Sequence, residues 1–188
     1  FFKNADYPVL KRSDVLQIIS GNSFNICIAG THGKTTITTM IAYLLRETGY
    51  GCNAFLGGIS SNYGTNFWSD KRNLCVIEAD EYDRSFLKLT PDIAVVSAMD
   101  PDHLEIYGTA EEMEKAYIDF TARIRNNGIL IAKKGLSIFD SIYKEKETHP
   151  FYFRQSKKCR DLKFTVGPGP WSFRNELYNN TGYFQRVG

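Results

Sequence analysis

The sequence has 188 residues, 43% hydrophobic and 23% charged, with a formal net charge of +2. That balance is the one of an ordinary globular domain with a sizeable core. The charge is too small to argue for nucleic acid or an anionic membrane surface as partner. No apolar run approaches the roughly 18 residues of a membrane span, and the start of the chain lacks a signal-peptide pattern. The four cysteines, Cys27, Cys52, Cys75 and Cys159, are widely spaced with no C-x-x-C pair. They are expected to be thiols of a reduced, cytoplasmic compartment, three of them in the core, rather than a disulfide framework or a zinc site.

Residues 1–10 lack periodicity, and Tyr7-Pro8 favours extended backbone. Ser13 can cap a short helix over 14–19 with the apolar face Val15, Leu16, Ile18 and Ile19. Residues 1–22 are therefore expected to be a linker and short helix leading into the main domain. An apolar strand over 24–29 follows, ending in the glycine-bounded turn Gly30-Thr31-His32-Gly33-Lys34-Thr35-Thr36. A helix over 34–48, with Ile37, Met40, Ile41, Leu44 and Leu45 on its apolar face, stops at Gly49.

This strand, turn and helix have the chemistry of a phosphate-binding loop. Glycine lets the backbone curl so that its N–H groups face an anion closely. The N-terminus of the helix adds unpaired N–H groups and partial positive charge. Lys34 can reach the β- and γ-phosphates, and the Thr35 hydroxyl is placed to hold Mg²⁺. The spacing is shorter than G-x-x-x-x-G-K-[ST], since Ile28 stands where that motif has glycine.

Residues 52–56 suggest a short strand, and 57–66, rich in glycine and small polar residues, a turn-rich loop. Continuous apolar runs over 73–79 and 92–98 predict strands covered on both faces, hence a parallel sheet. The first ends in Glu78-Ala79-Asp80-Glu81-Tyr82-Asp83 and the second in Asp100-Pro101-Asp102-His103. Ligands of such sheets bind at the carboxyl ends of strands, where all these polar clusters fall. Four carboxylates within 78–83 repel one another unless a cation is near, which favours Glu78 as a metal ligand over a plain solvated turn. His103 alone is as readily structural as functional.

Thr109-Ala110-Glu111-Glu112 is a capping box opening a helix to about Ile124, with Met113, Ala116, Tyr117, Phe120 and Ile124 inward. Gly128 stops it, 128–132 is a strand and 136–143 a helix. After Pro150 the character changes: 151–153 and 162–166 suggest strands, 167–170 a turn, and 179–182 a hairpin tip. The expected fold is α/β, a P-loop-type mostly parallel sheet with helices on both faces over 23–150 and a small antiparallel β appendage over 151–188.

The loop Gly30–Thr36, Glu78-Ala79-Asp80-Glu81 with Asp83 and Ser85-Phe86-Leu87, and Asp100-Pro101-Asp102-His103-Leu104 with Ile106-Tyr107-Gly108 together resemble the three signatures of the Mur ligase central domain. The resemblance covers about residues 5–150, and the loop and acidic motifs are most similar to the branch that adds L-alanine to UDP-N-acetylmuramate. It implies ATP-dependent conversion of the muramyl carboxylate to an acyl phosphate, which the amine of L-alanine then attacks. In that scheme Gly30, Thr31, His32, Gly33, Lys34, Thr35 and Thr36 would bind ATP. Thr35 and Glu78 would hold a first Mg²⁺ and His103 a second, while Gly64, Thr65 and Asn66 would face the muramyl end. Two positions depart from or refine the pattern. Ala98 stands where the family usually has Asn, and Ile118 where several relatives carry a carbamylated lysine, as fits the alanine-adding branch. The sugar-nucleotide and amino-acid domains of the family fall outside this sequence, so the stretch by itself is expected to fold without turning over. The alternatives are a recycling ligase that joins a tripeptide to the same sugar nucleotide, and a non-catalytic nucleotide-binding module, which would need the loop but not both Glu78 and His103. Tyr82 speaks for the recycling ligase; against it, Arg84-Ser85-Phe86-Leu87, followed directly by a strand, leaves no room for a longer insert.

Overall fold

The computed structural model describes residues 9–133, 136–138, 151–152, 164–166 and 173–175. Its chain divides into two compact units, Phe1–Tyr152 and Phe153–Gly188. The larger unit is built on a seven-stranded sheet. In chain order its elements are α1 (Arg12–Ser20), β1 (Phe24–Ala29), α2 (Lys34–Glu47), β2 (Asn53–Ser60), β3 (Thr65–Trp68), β4 (Leu74–Glu78), a 3₁₀ run (Tyr82–Lys88), β5 (Ile93–Val96), α3 (Leu104–Tyr107), α4 (Ala110–Thr121), β6 (Ile129–Ala132) and β7 (Phe151–Tyr152). The strand order is β3-β2-β4-β1-β5-β6-β7. Among the described strands of this sheet only the β2–β3 pairing is antiparallel.

The central strand shows why the runs are continuously apolar. Along β1, Cys27 and Ala29 face one core, with Phe86, Tyr117 and Phe120. Ile26 and Ile28 face the other, with Ala42, Leu56 and Val76. Alternate side chains point to opposite faces, so a strand covered on both sides must be apolar at every position. α2 covers one face and α4 the other.

At the amino ends of the strands the sheet is closed by polar groups. Arg125 donates to the Gly21 and Ser23 carbonyls at 2.7 Å each and to Asp92 Oδ2 at 3.1 Å. Asp92 in turn accepts from the Asn25 N–H at 2.7 Å. The N-cap half of the expected capping box forms, the Thr109 hydroxyl accepting from the Glu112 N–H at 3.3 Å.

Five expectations need correction. Residues 57–66 do not form a loop: β2 runs to Ser60, turns at Gly64 (φ 63°) and returns as β3. Ala54 and Phe55 are paired on both sides and Ser60 pairs with Thr65, so Gly57 and Gly58 are carried in the strand through the register shift between Phe55 and Ser60 despite their low strand propensity. α1 starts at Arg12 with Lys11 as its N-cap, so Ser13 lies inside the helix and does not cap it. Of its apolar residues only Leu16 is buried, while Val15, Ile18 and Ile19 are exposed. On α2 the face against the sheet centres on Thr38 and Ala42, with Ile37, Ile41 and Leu45 flanking, and Leu44 is exposed. β7, expected with the appendage, pairs parallel to β6 in the main sheet.

In the smaller unit β8 (Phe164–Val166) pairs antiparallel with β9 (Phe173–Asn175). Most of the helix expected over 136–143, the turn over 167–170 and the hairpin tip over 179–182 lie outside the described residues.

Candidate active site

The carboxyl ends of β1, β4 and β5 converge. β1 delivers Gly30, whose φ of 131° only glycine adopts comfortably, and a Cβ there would stand 2.8 Å from the Ala98 nitrogen. The loop is pinned to the segment after β5 on that side. The Thr31 N–H donates to the Ala98 carbonyl at 3.1 Å, and the Thr31 hydroxyl accepts from the Asp100 N–H at 3.1 Å. Ala98 thus contributes its backbone, with a buried methyl where the resemblance expects Asn. His32 is exposed, its Nε2 3.6 Å from Asp100 Oδ2.

Gly33 (φ 83°) is the N-cap of α2, and no side chain caps that end. The first-turn N–H groups, including those of Thr35 and the exposed Thr36, are therefore free for an anionic ligand. Here the Thr35 hydroxyl donates to Glu78 Oε1 at 3.0 Å, and the Gly57 N–H donates to Glu78 Oε2 at 2.7 Å. A Cβ at Gly57 would collide with the Glu78 carboxylate. Adjacent ligands of an octahedral Mg²⁺ at 2.0–2.1 Å lie about 2.9 Å apart. The Thr35 and Glu78 oxygens already have that spacing, so this pair fits the ion.

Lys34 Nζ donates to Glu81 Oε1 at 2.7 Å and lies 4.0 Å from Asp80 Oδ1. Glu81 is fully buried, and its other oxygen, Oε2, has no partner. Burial pushes its pKa up despite the opposing pull of the Lys34 hydrogen bond. Sequence reasoning placed Glu81 within the acidic cluster and gave it no role of its own. Gly57 carries no signal in the sequence, because its place beside Glu78 depends on a strand whose composition is that of a loop.

Lys34, Thr35 and Glu78 are brought together; His103 is not joined to them by any hydrogen bond or ion pair. His103 adopts φ 52° ahead of α3. Its ring packs edge-on against Tyr82 at 5.2 Å, with Nδ1 3.5 Å from Glu105 Oε1 and Nε2 3.8 Å from Asp102 Oδ2. Among the described residues no three His, Cys, Asp or Glu side chains form a group able to hold a metal ion. Gly64, Thr65 and Asn66 sit on the β2–β3 hairpin. The Thr65 hydroxyl is engaged by the Phe67 backbone, and Asn66 lines a groove with Arg12, Ile19 and Phe67. A cavity of ≈ 210 Å³ borders Glu78 and Asp80, with Lys11, Arg12 and Ser13 of the α1 end on its wall.

Residues 28–162 match the model of the Mur ligase middle domain. The chain belongs to the Mur ligase family. A UDP-N-acetylmuramate–L-alanine ligase of Parabacteroides distasonis is 44% identical over 168 residues, 85% of this chain and 36% of that protein. One from Phocaeicola vulgatus is 50% identical over 139 residues, 73% of this chain and 30% of that protein. The chain thus spans about a third of the length of these relatives. Among solved structures, the UDP-N-acetylmuramate:L-alanyl-gamma-D-glutamyl-meso-diaminopimelate ligase from Neisseria meningitides superposes with a TM-score of 0.65 at 22% identity. That match covers 77% of this chain and 50% of that one, and it shows the shared Mur ligase fold.

Proposed function

We propose that this chain is the ATP-binding part of a ligase that joins L-alanine to UDP-N-acetylmuramate, with ATP and Mg²⁺ as cofactors. The observation that carries the reading is the Thr35–Glu78 contact at 3.0 Å, set at the uncapped start of α2 beside Lys34. The names of the relatives at 44% and 50% identity support the substrates.

On this reading the backbone N–H groups of the loop and first turn cradle the polyphosphate. Lys34 places its positive charge on the phosphoryl group in transit, the kind of fixed electrostatic complement on which phosphoryl transfer depends. Thr35 and Glu78 would hold Mg²⁺. When bound, the ion neutralises charge on the phosphate oxygens. Gly57 fixes the Glu78 carboxylate through its N–H. For His103 we propose a contact to a second Mg²⁺ near the substrate carboxylate, which requires its ring to turn from Asp102 and Glu105. Gly64, Thr65 and Asn66 are proposed to face the muramyl end, since β2, the strand that leads to them, passes Glu78 at Gly57. The reaction is assigned to the cytoplasm, where thiols such as the buried free Cys27, Cys52 and Cys75 stay reduced.

The test uses the full-length protein that carries this chain, supplied with MgATP and UDP-N-acetylmuramate. L-alanine should support phosphate release and amide formation, and the L-alanyl-γ-D-glutamyl-diaminopimelate tripeptide should not. Release with the tripeptide alone would move the assignment to the recycling reaction. His103→Ala should depress amide formation while leaving ATP binding in place. Unchanged amide formation would remove His103 from the mechanism.

A further inference from the structure

Glu81 is the one fully buried carboxylate among the described residues, and it lies beneath the lysine of the phosphate loop. Its burial is hard to explain by stability. The burial penalty outweighs the attraction of Lys34, so its pKa is raised, and its Oε2 is left without a hydrogen bond. Buried ion pairs of this kind are often no more stabilising than apolar side chains of the same size. The pair also has a specific geometry. Lys34 retains 14% side-chain exposure, and an ammonium has three N–H donors. With one spent on Glu81 at 2.7 Å, two remain for the open side of the loop. Asp80, at 4.0 Å and half exposed, is too far to hold the ammonium in that pose. Glu81 is itself fixed from the other side: Tyr107 of α3 donates its hydroxyl to the Glu81 carbonyl at 2.6 Å.

We propose that Glu81 is a positioning residue whose buried carboxylate anchors Lys34 at the floor of the loop, so that its free N–H donors are preset for the terminal phosphoryl group of a nucleoside triphosphate. The proposal rests on the phosphate-loop reading above. A lysine left free on its four-carbon stem would have to be ordered anew at each binding event, and that ordering would weaken its grip on the phosphate. Because the anchor acts only through Lys34, its effect belongs to the terminal phosphates that Lys34 reaches, not to the nucleoside, and it is greatest where a third phosphate is present.

The experiment measures binding of MgADP and of a Mg-bound non-hydrolysable ATP analogue by calorimetry, in the full-length protein, with Glu81→Gln and the apolar Glu81→Met. Both variants should melt no lower than wild type near neutral pH. Both should shrink the preference for the analogue over ADP, by about tenfold for the loss of a charge-assisted contact. In a Lys34→Met background, Glu81→Gln should shift that preference no further. An unchanged preference overturns the proposal. So does an equal loss for both nucleotides with a lowered melting temperature, a further shift in the Lys34→Met background, or failure of both variants to fold, each of which marks a purely structural residue. If wild type binds neither nucleotide, the phosphate-loop reading itself fails, and the proposal with it.

Discussion

Glu78 and Glu81 leave the same strand end and meet opposite environments. Glu78 stays partly exposed against Thr35 and Gly57, and Glu81 is enclosed beneath Lys34. Removing the cation alone should therefore be costly. Lys34→Met leaves a buried carboxylate unpaired and should destabilise the fold by about 3 kcal/mol. Adding Glu81→Gln should restore most of that loss, as read by urea denaturation; a Lys34→Met protein as stable as wild type would refute the pairing. The pH dependence has a definite sign. The folded-state pKa of Glu81 is raised, so above about 4.5 the folded chain binds more protons than the unfolded one. The Glu81 contribution then makes stability fall as pH rises through the window between the two values. Glu81→Gln should flatten that fall, and an unchanged slope between pH 4.5 and neutrality would show that Glu81 titrates normally.

At the scale of elements, β2 supplies the sharpest prediction. Gly57 has ordinary backbone angles but no room for a Cβ, because the mobile end of Glu78 fills that space. Gly57→Ala should cost no more than about 1 kcal/mol, since a flexible side chain can move aside. It should still weaken Mg²⁺-dependent nucleotide binding by displacing the carboxylate from Thr35; titration with and without Mg²⁺ reads this directly. β1, β4 and β5 were legible because burial on both faces writes an unbroken apolar run. α4 was legible from Thr109 to Phe120 because cap and period agree. The hairpin was not, since Gly57, Gly58 and Ser60 have turn composition and are held in β2 by the pairing of Ala54 and Phe55 with β4 and β3 and of Ser60 with Thr65. Nor could sequence separate Glu81 from its acidic neighbours. Its burial follows from the 3₁₀ run beyond it, where Asp83 and Arg84 take φ of 51° and 59°, and from Tyr107, 26 residues away in sequence.

For the whole molecule, the sheet separates stability from chemistry. The Arg125 network ties the entry of β1 to Asp92 before β5, at the strand ends opposite the phosphate loop. Arg125→Ala should lower stability by about 2 kcal/mol through the lost hydrogen bonds, with nucleotide affinity unchanged; a weakened affinity would show that the two ends are coupled. The chain spans about a third of its curated relatives, 36% and 30% of those compared, so catalysis is measured in the full-length protein. The most direct measurement is calorimetric binding of ATP to that protein with and without Mg²⁺, for wild type and Glu78→Gln. The account predicts that Mg²⁺ tightens ATP binding to wild type and that Glu78→Gln abolishes the gain. A Glu78→Gln protein that binds ATP with the same Mg²⁺ dependence as wild type would contradict it.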